Sequence, residues 1–101
     1  MVTENVKVTN NESKQRFEAH VGGDLAVVNY RMSGGTMIFT HTEVPEPMEG
    51  KGIAGQLAKA ALDHAREKGL KVKPRCSFMA SYIQRHSEYQ DLVSAESQET
   101  S

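Results

Sequence analysis

Apolar and polar residues alternate through the first half of the chain and then change to a helical period. In residues 16–21 the apolar side chains Phe17, Ala19 and Val21 share one face, as in a half-buried strand. Residues 25–32 repeat the pattern with Ala26, Val28, Tyr30 and Met32 together. Gly22-Gly23-Asp24 between these runs is a hairpin signal. Ser33-Gly34-Gly35 makes the next turn, and residues 37–44 form a fourth strand. Ahead of them, Val6-Lys7-Val8 predicts a short first strand, with Asn10-Asn11-Glu12 as turn material.

The period changes near residue 52. Ala54, Leu57, Ala58, Ala61, Leu62 and Ala65 lie on one stripe of a helix over residues 52–68, and Gly69 fits its C-terminal cap. Residues 71–76 return as a fifth strand, which Pro74 confines to an edge or to a place where pairing lapses. Ser77 opens a second helix that places Phe78, Met79, Tyr82, Ile83 and His86 at helical spacing. Residues 94–101 are polar and read as a disordered tail. The expectation is one α+β domain over residues 1–93: an antiparallel four-stranded meander, a Gly-rich turn, a long helix, a fifth strand and a closing helix.

Most of the chemistry sits in the turn before the long helix, Pro45-Glu46-Pro47-Met48-Glu49-Gly50-Lys51-Gly52-Ile53-Ala54-Gly55. A helix start has unpaired backbone N–H groups and the positive end of the helix dipole. Glycines there let a phosphate approach the backbone, so strand, turn and helix together suggest a phosphate or pyrophosphate cradle. The alternative is ordinary turn geometry, which needs small residues too. Gly50, Gly52 and Gly55 do not complete the dinucleotide pattern G-x-G-x-x-G, and no Gly-Lys-Ser/Thr opens the helix as in a P-loop.

Composition narrows the classes. With 101 residues the chain is large enough for an ordinary core. A net charge of −1 and scattered lysines and arginines give no field favouring nucleic acid. No apolar run approaches a membrane span, and the start Met1-Val2-Thr3-Glu4-Asn5 is unlike a signal peptide. A single cysteine excludes an intrachain disulfide and fits the cytoplasm. His20, His41, His64 and His86 are too far apart in sequence to suggest a structural metal site.

Four segments carry a resemblance to a known family: His41-Thr42-Glu43-Val44-Pro45, Glu49-Gly50-Lys51-Gly52-Ile53-Ala54, residues 57–69, and Pro74-Arg75-Cys76-Ser77-Phe78. With the order of elements, they resemble the second half of the GNAT superfamily of N-acetyltransferases, and in particular its small single-domain members, which are little more than the acetyl-CoA-binding core. The likeness spans residues 6–92. The superfamily's pyrophosphate motif is Gln/Arg-x-x-Gly-x-Gly/Ala. Gly52 and Ala54 match its last two positions, whereas Glu49 puts an acid at the first, which Lys51 would partly offset. The resemblance implies that Glu49, Gly50, Lys51, Gly52, Ile53, Ala54 and Gly55 surround the diphosphate of acetyl-CoA or CoA. It implies that His41, Thr42 and Val44 pair with the pantetheine arm as a strand would, that Cys76 lies near the cofactor thiol, and that a backbone N–H near Val44 stabilises the oxyanion.

Three residues are candidates for catalysis. Cys76 stands beside Arg75 and before a helix start, both of which favour a thiolate; it is read as a proton donor to the leaving CoA thiolate, a covalent nucleophile, or a small buried hydrophobe. His41 and Glu43, two apart on a strand, share a face. They read either as the end of the core-facing row of Met37 and Phe39, or as the base that deprotonates an amine, Glu43 acting through a water. Tyr82, four residues before His86, reads as core with a polar tip, and His86 and Tyr89 as packing or surface residues. The leading expectation is an acetyltransferase acting on an unidentified amine, a protein among the candidates. The alternative is a non-catalytic CoA-binding or interaction module, because the short connection after the first strand leaves no room for the helices that wall the acceptor site in larger members. Nucleic acid and membrane are not expected partners.

Overall fold

A computed structural model describes residues 6–94 of the chain. Five strands form one sheet in sequence order: β1 (Val8–Asn11), β2 (Arg16–Val21), β3 (Asp24–Ser33), β4 (Thr36–Glu43) and β5 (Lys71–Pro74). The first four are antiparallel and β5 runs parallel to β4. A parallel pair needs a crossover, here helix α1 (Ile53–Glu67), and helix α2 (Ser77–Arg85) follows β5. Short 3₁₀ turns, Glu46–Met48 and Ser87–Leu92, lead into α1 and follow α2.

The expected apolar faces build one core. Phe17, Ala19, Ala26, Val28, Tyr30, Met37 and Phe39 pack under Ile53, Leu57, Ala58, Ala61, Leu62 and Ala65 of α1, together with Met79 and Ile83 of α2. Ala54 is only half-buried, and Ile53 takes the place expected for it at the head of the stripe. Met48 anchors the loop before α1 in this core. Helix α1 ends as its sequence predicts. Gly69 adopts φ 70°, Leu70 N–H donates to Ala65 O at 2.8 Å and Gly69 N–H to Arg66 O at 3.2 Å, which together satisfy two terminal carbonyls.

Two placements differ from expectation at the start of the sheet. Strand β1 lies at Val8–Asn11, later than Val6-Lys7-Val8, and the turn falls on residues 12–15. Asn10 and Asn11 can sit in a strand because their side chains are satisfied there. Asn10 Oδ1 accepts from Tyr30 Oη at 2.7 Å and Asn11 Oδ1 accepts from Lys14 N–H at 3.2 Å. Met32, at the far end of its row, is 42% exposed. At the other end, Ser94 N–H donates to Val72 O at 2.9 Å, so residue 94, expected in the tail, is held against β5; residues 95–101 lie outside the described residues.

A polar seam joins α1 to the closing turn. Tyr89 Oη donates to Asp63 Oδ1 at 2.7 Å and Lys59 Nζ to Asp63 Oδ2 at 2.9 Å. Burial and the Asp63 carboxylate push the Tyr89 pKa up to about 12. Burial acts to raise the Asp63 pKa, but hydrogen bonds from Tyr89 and Lys59 outweigh it and leave the pKa below its ordinary value. The depressed carboxyl stabilises the fold above its unfolded pKa of about 4, and that share is lost as pH falls through the folded pKa. The raised phenol stabilises below its unfolded pKa and loses this as pH rises through about 12. The Asp63 side chain is 50% exposed, so the bond is worth about 1 kcal/mol. Tyr89→Phe should therefore cost about that much at pH 7 and less at pH 3. Urea unfolding at the two pH values checks this; an equal loss at both would show that the Tyr89 hydroxyl contributes independently of the charge on Asp63.

Candidate functional site

The turn before α1 is shaped as the sequence suggests. Gly52 caps the helix in the left-handed region, at φ 77° and ψ 10°, with no side-chain hydrogen bond to the cap. The first backbone bond of the helix runs from Gln56 N–H to Gly52 O at 3.2 Å. Ahead of it, the N–H groups of residues 50–55 have no partner among the described residues. Left-handed φ values at Gly50 and Gly52 bend the chain around this row of donors. Glu49 and Lys51 are both exposed at its edge. Gly55 has an ordinary φ, and a Cβ built on it would meet Tyr82 Cε2 at 3.9 Å, ordinary contact.

Beside this turn the sheet opens. Strands β4 and β5 pair from Thr36 and Lys71 as far as Phe39 and Pro74, and a last bond joins Arg75 N–H to Phe39 O at 2.9 Å. Strand β4 then continues to Glu43 against β3 alone, while the other chain turns into α2. Pro74 has no N–H to extend the ladder. Among the described residues the far half of β4 thus has an unpaired edge, which faces the start of α2.

A bulge sets which side chains line this opening. Asn29 pairs with His41 but Tyr30 with Phe39, so Thr40 is an extra residue in β4. An extra residue moves every later side chain to the other face. Thr42 therefore stands opposite the core residue Val28, and His41 and Glu43 stand opposite Asn29 and Val27 on the outer face. This corrects the expectation that His41 and Glu43 continue the row of Met37 and Phe39. The two still share a face, exposed, on the side away from α1. In their place Thr42 turns inward, and its Oγ1 lies 3.2 Å from the Sγ of Cys76. Cys76 is the half-buried N-cap of α2, and its thiol makes no capping bond. The sequence pointed to the Thr42 backbone but not to this side-chain contact, because nothing in Thr40-His41-Thr42-Glu43 marks Thr40 as the bulge.

The aromatic residues of α2 have structural surroundings. Tyr82 is 8% exposed, and His86 stacks on it at 3.9 Å between ring centres. An open groove of about 530 Å³ between β1, β2 and α1, lined by Val8, Phe17, Ala60 and His64, lies away from the Gly-rich turn. Among the described residues no group of three His, Cys, Asp or Glu side chains is placed to hold a metal ion. Among the described residues no helix is long and apolar enough to cross a membrane.

A helix start with free donors, a strand that loses its neighbour beside it, and a bulge in that strand form a distinctive set. Comparison with known proteins is decisive. The model of a family described as GCN5-related N-acetyltransferase matches residues 16–92. The chain belongs to the GCN5-related N-acetyltransferase family. The match takes in all of the elements from β2 through the last 3₁₀ turn. Protein NATD1 of Mus musculus is 34% identical over 84 residues, covering 80% of this chain and 76% of its own. Protein NATD1 of Danio rerio is 31% identical over 97 residues, covering 91% and 88%. The solution structure of a GCN5-like protein from Staphylococcus aureus superposes with a TM-score of 0.71 at 27% identity, covering 91% of each chain. The GNAT-like α+β fold expected from the order of elements is thus the fold observed, with the fifth strand parallel to the fourth.

Proposed function

We propose that the chain binds acetyl-CoA and transfers its acetyl group to an amine. The observation that carries this reading is the row of N–H groups at residues 50–55 that have no partner among the described residues, together with the edge of β4 that β5 leaves unpaired beyond Phe39. The diphosphate takes the N–H row, with the positive helix end behind it. Lys51 offsets the like charge of Glu49. The pantetheine arm pairs with the backbone of His41, Thr42 and Val44, and the thioester enters the opening between β4 and α2.

The bulge gives each face of the opening a separate task. The amine arrives on the outer face, where Glu43, through a water, or His41 takes its proton. The nitrogen lone pair attacks the thioester carbon, a C–N bond forms, and the backbone N–H near Val44 stabilises the oxyanion. The C–S bond then breaks, and the CoA thiolate leaves on the inner face, where Cys76 supplies a proton. Thr42 holds the Cys76 thiol toward the opening.

Amide NMR during an acetyl-CoA titration should shift residues 49–55 first; largest shifts in the β1–β2 or β2–β3 turns would place the cofactor elsewhere. Incubation without acceptor should leave no acetyl group on Cys76, and Cys76→Ala should keep part of the turnover. A hydroxylamine-sensitive adduct mapped to Cys76 by mass spectrometry would replace the proton-donor role with a covalent one. One observation favours a second reading, the non-catalytic CoA-binding module: β1 passes to β2 through residues 12–15 only, so among the described residues no helix between them walls the acceptor side. Retained CoA binding without transfer to a broad amine panel is the result that selects it.

A further inference from the structure

Among the described residues no helix covers the sheet face opposite α1, yet that face holds a buried carboxylate. Glu18 is 7% exposed and pairs with Val27, the buried hydrophobe that lies outside the core cluster. Burying a carboxylate where threonine or valine would fit costs desolvation energy. The arrangement fixes Arg16. Arg16 Nε donates to Glu18 Oε2 at 2.6 Å, and Asn11 Nδ2 donates to the same oxygen at 3.0 Å. The Arg16 hydrogen bond outweighs burial and holds the Glu18 carboxyl below its ordinary pKa, so the carboxylate keeps its charge at neutral pH.

Arg16 uses only Nε in this pair. Its two terminal nitrogens have no partner among the described residues and form a planar pair of donors that matches a carboxylate. Register places Arg16 opposite Asn29, and Asn29 opposite His41. The side-chain polar ends of Asn29 and His41 likewise have no partner among the described residues. Adjacent strands lie about 4.8 Å apart. The row therefore spans roughly 10 Å and ends at the β4 opening.

We infer that Arg16, Asn29 and His41 bind a carboxylate on the acceptor, which makes the preferred substrate an amine carrying a carboxylate within roughly 10 Å of its nitrogen. The inference rests on the acetyl-transfer reading and narrows its substrate class. Glu43 then remains the proton acceptor, since His41 is engaged.

The test compares 6-aminohexanoate with hexylamine, which lacks the carboxylate. In the unaltered protein kcat/KM should favour 6-aminohexanoate by about tenfold or more, the effect of one charge-assisted pair. Arg16→Met should bring the ratio close to one. Arg16→Lys keeps a charge for Glu18 without the planar fork and should give an intermediate ratio. Urea unfolding and acetyl-CoA affinity identify the variants that are folded. Equal rates for the two amines, or a preference that survives both substitutions, overturn the inference. If neither amine is acetylated, a titration of ¹⁵N-labelled protein decides. Shifts of the Arg16 Nε–H and the His41 amide with 6-aminohexanoate, and not with hexylamine, keep the carboxylate row, and acetyl transfer is then decided by the broad amine panel. Absence of those shifts removes the row, whether or not either amine is turned over.

Discussion

Phe39→Ala should lower the stability of the domain by about 3–5 kcal/mol, a large share of the 5–15 kcal/mol typical of a native domain. Phe39 is fully buried. It faces Tyr30 in β3 and Pro74 in β5, and its carbonyl accepts the last bond before β4 and β5 part. The ring thus fills the core at the point where the sheet opens. An alanine would leave a cavity that neighbours on three elements cannot close together. Phe39→Leu, which keeps most of the volume, should cost much less, roughly 1–1.5 kcal/mol. Urea unfolding of the three proteins tests this, and a loss below about 1.5 kcal/mol for the alanine variant would show that α1 settles into the gap.

Much of this architecture was legible because single signals were local and agreed. The alternation of Phe17 and Ala19, then of Ala26, Val28 and Tyr30, places these residues in the core. The α1 stripe needs only its own period, and Gly69 needs only the left-handed cap. What was missed depends on partners far away in sequence. Asn10 and Asn11 read as a turn until Tyr30 and Glu18 are seen to satisfy them. The side that His41 and Glu43 face depends on one inserted residue, Thr40, and a bulge is defined by the opposing strand. The bond from Arg16 to Glu18 depends on the burial of Glu18, which an exposed-looking strand position does not announce.

Gly52→Val should weaken acetyl-CoA binding by about thirtyfold or more. Gly52 is at φ 77°, a region that costs an L-residue about 1–2 kcal/mol and a β-branched residue more. The variant can relieve the strain only by rotating the backbone, and rotation turns the N–H row at residues 50–55 away from a common point. Charge-assisted bonds to a diphosphate are worth about 1.5–3 kcal/mol each, so losing alignment for even one exceeds a tenfold change. Because strain also acts on the fold, affinity and stability must be measured together. Gly55→Ala is the matched control. Its φ is ordinary, its Cβ meets only Tyr82 at 3.9 Å, and its N–H is retained. Gly55→Ala should keep affinity within about threefold and raise stability by about 0.5 kcal/mol, because alanine loses less freedom in a helix. Calorimetry with acetyl-CoA on both variants separates the two effects. Undiminished affinity in a folded Gly52→Val protein would remove the N–H row from the cofactor site, and an equal loss in Gly55→Ala would mean that helix packing, rather than backbone direction, sets the affinity.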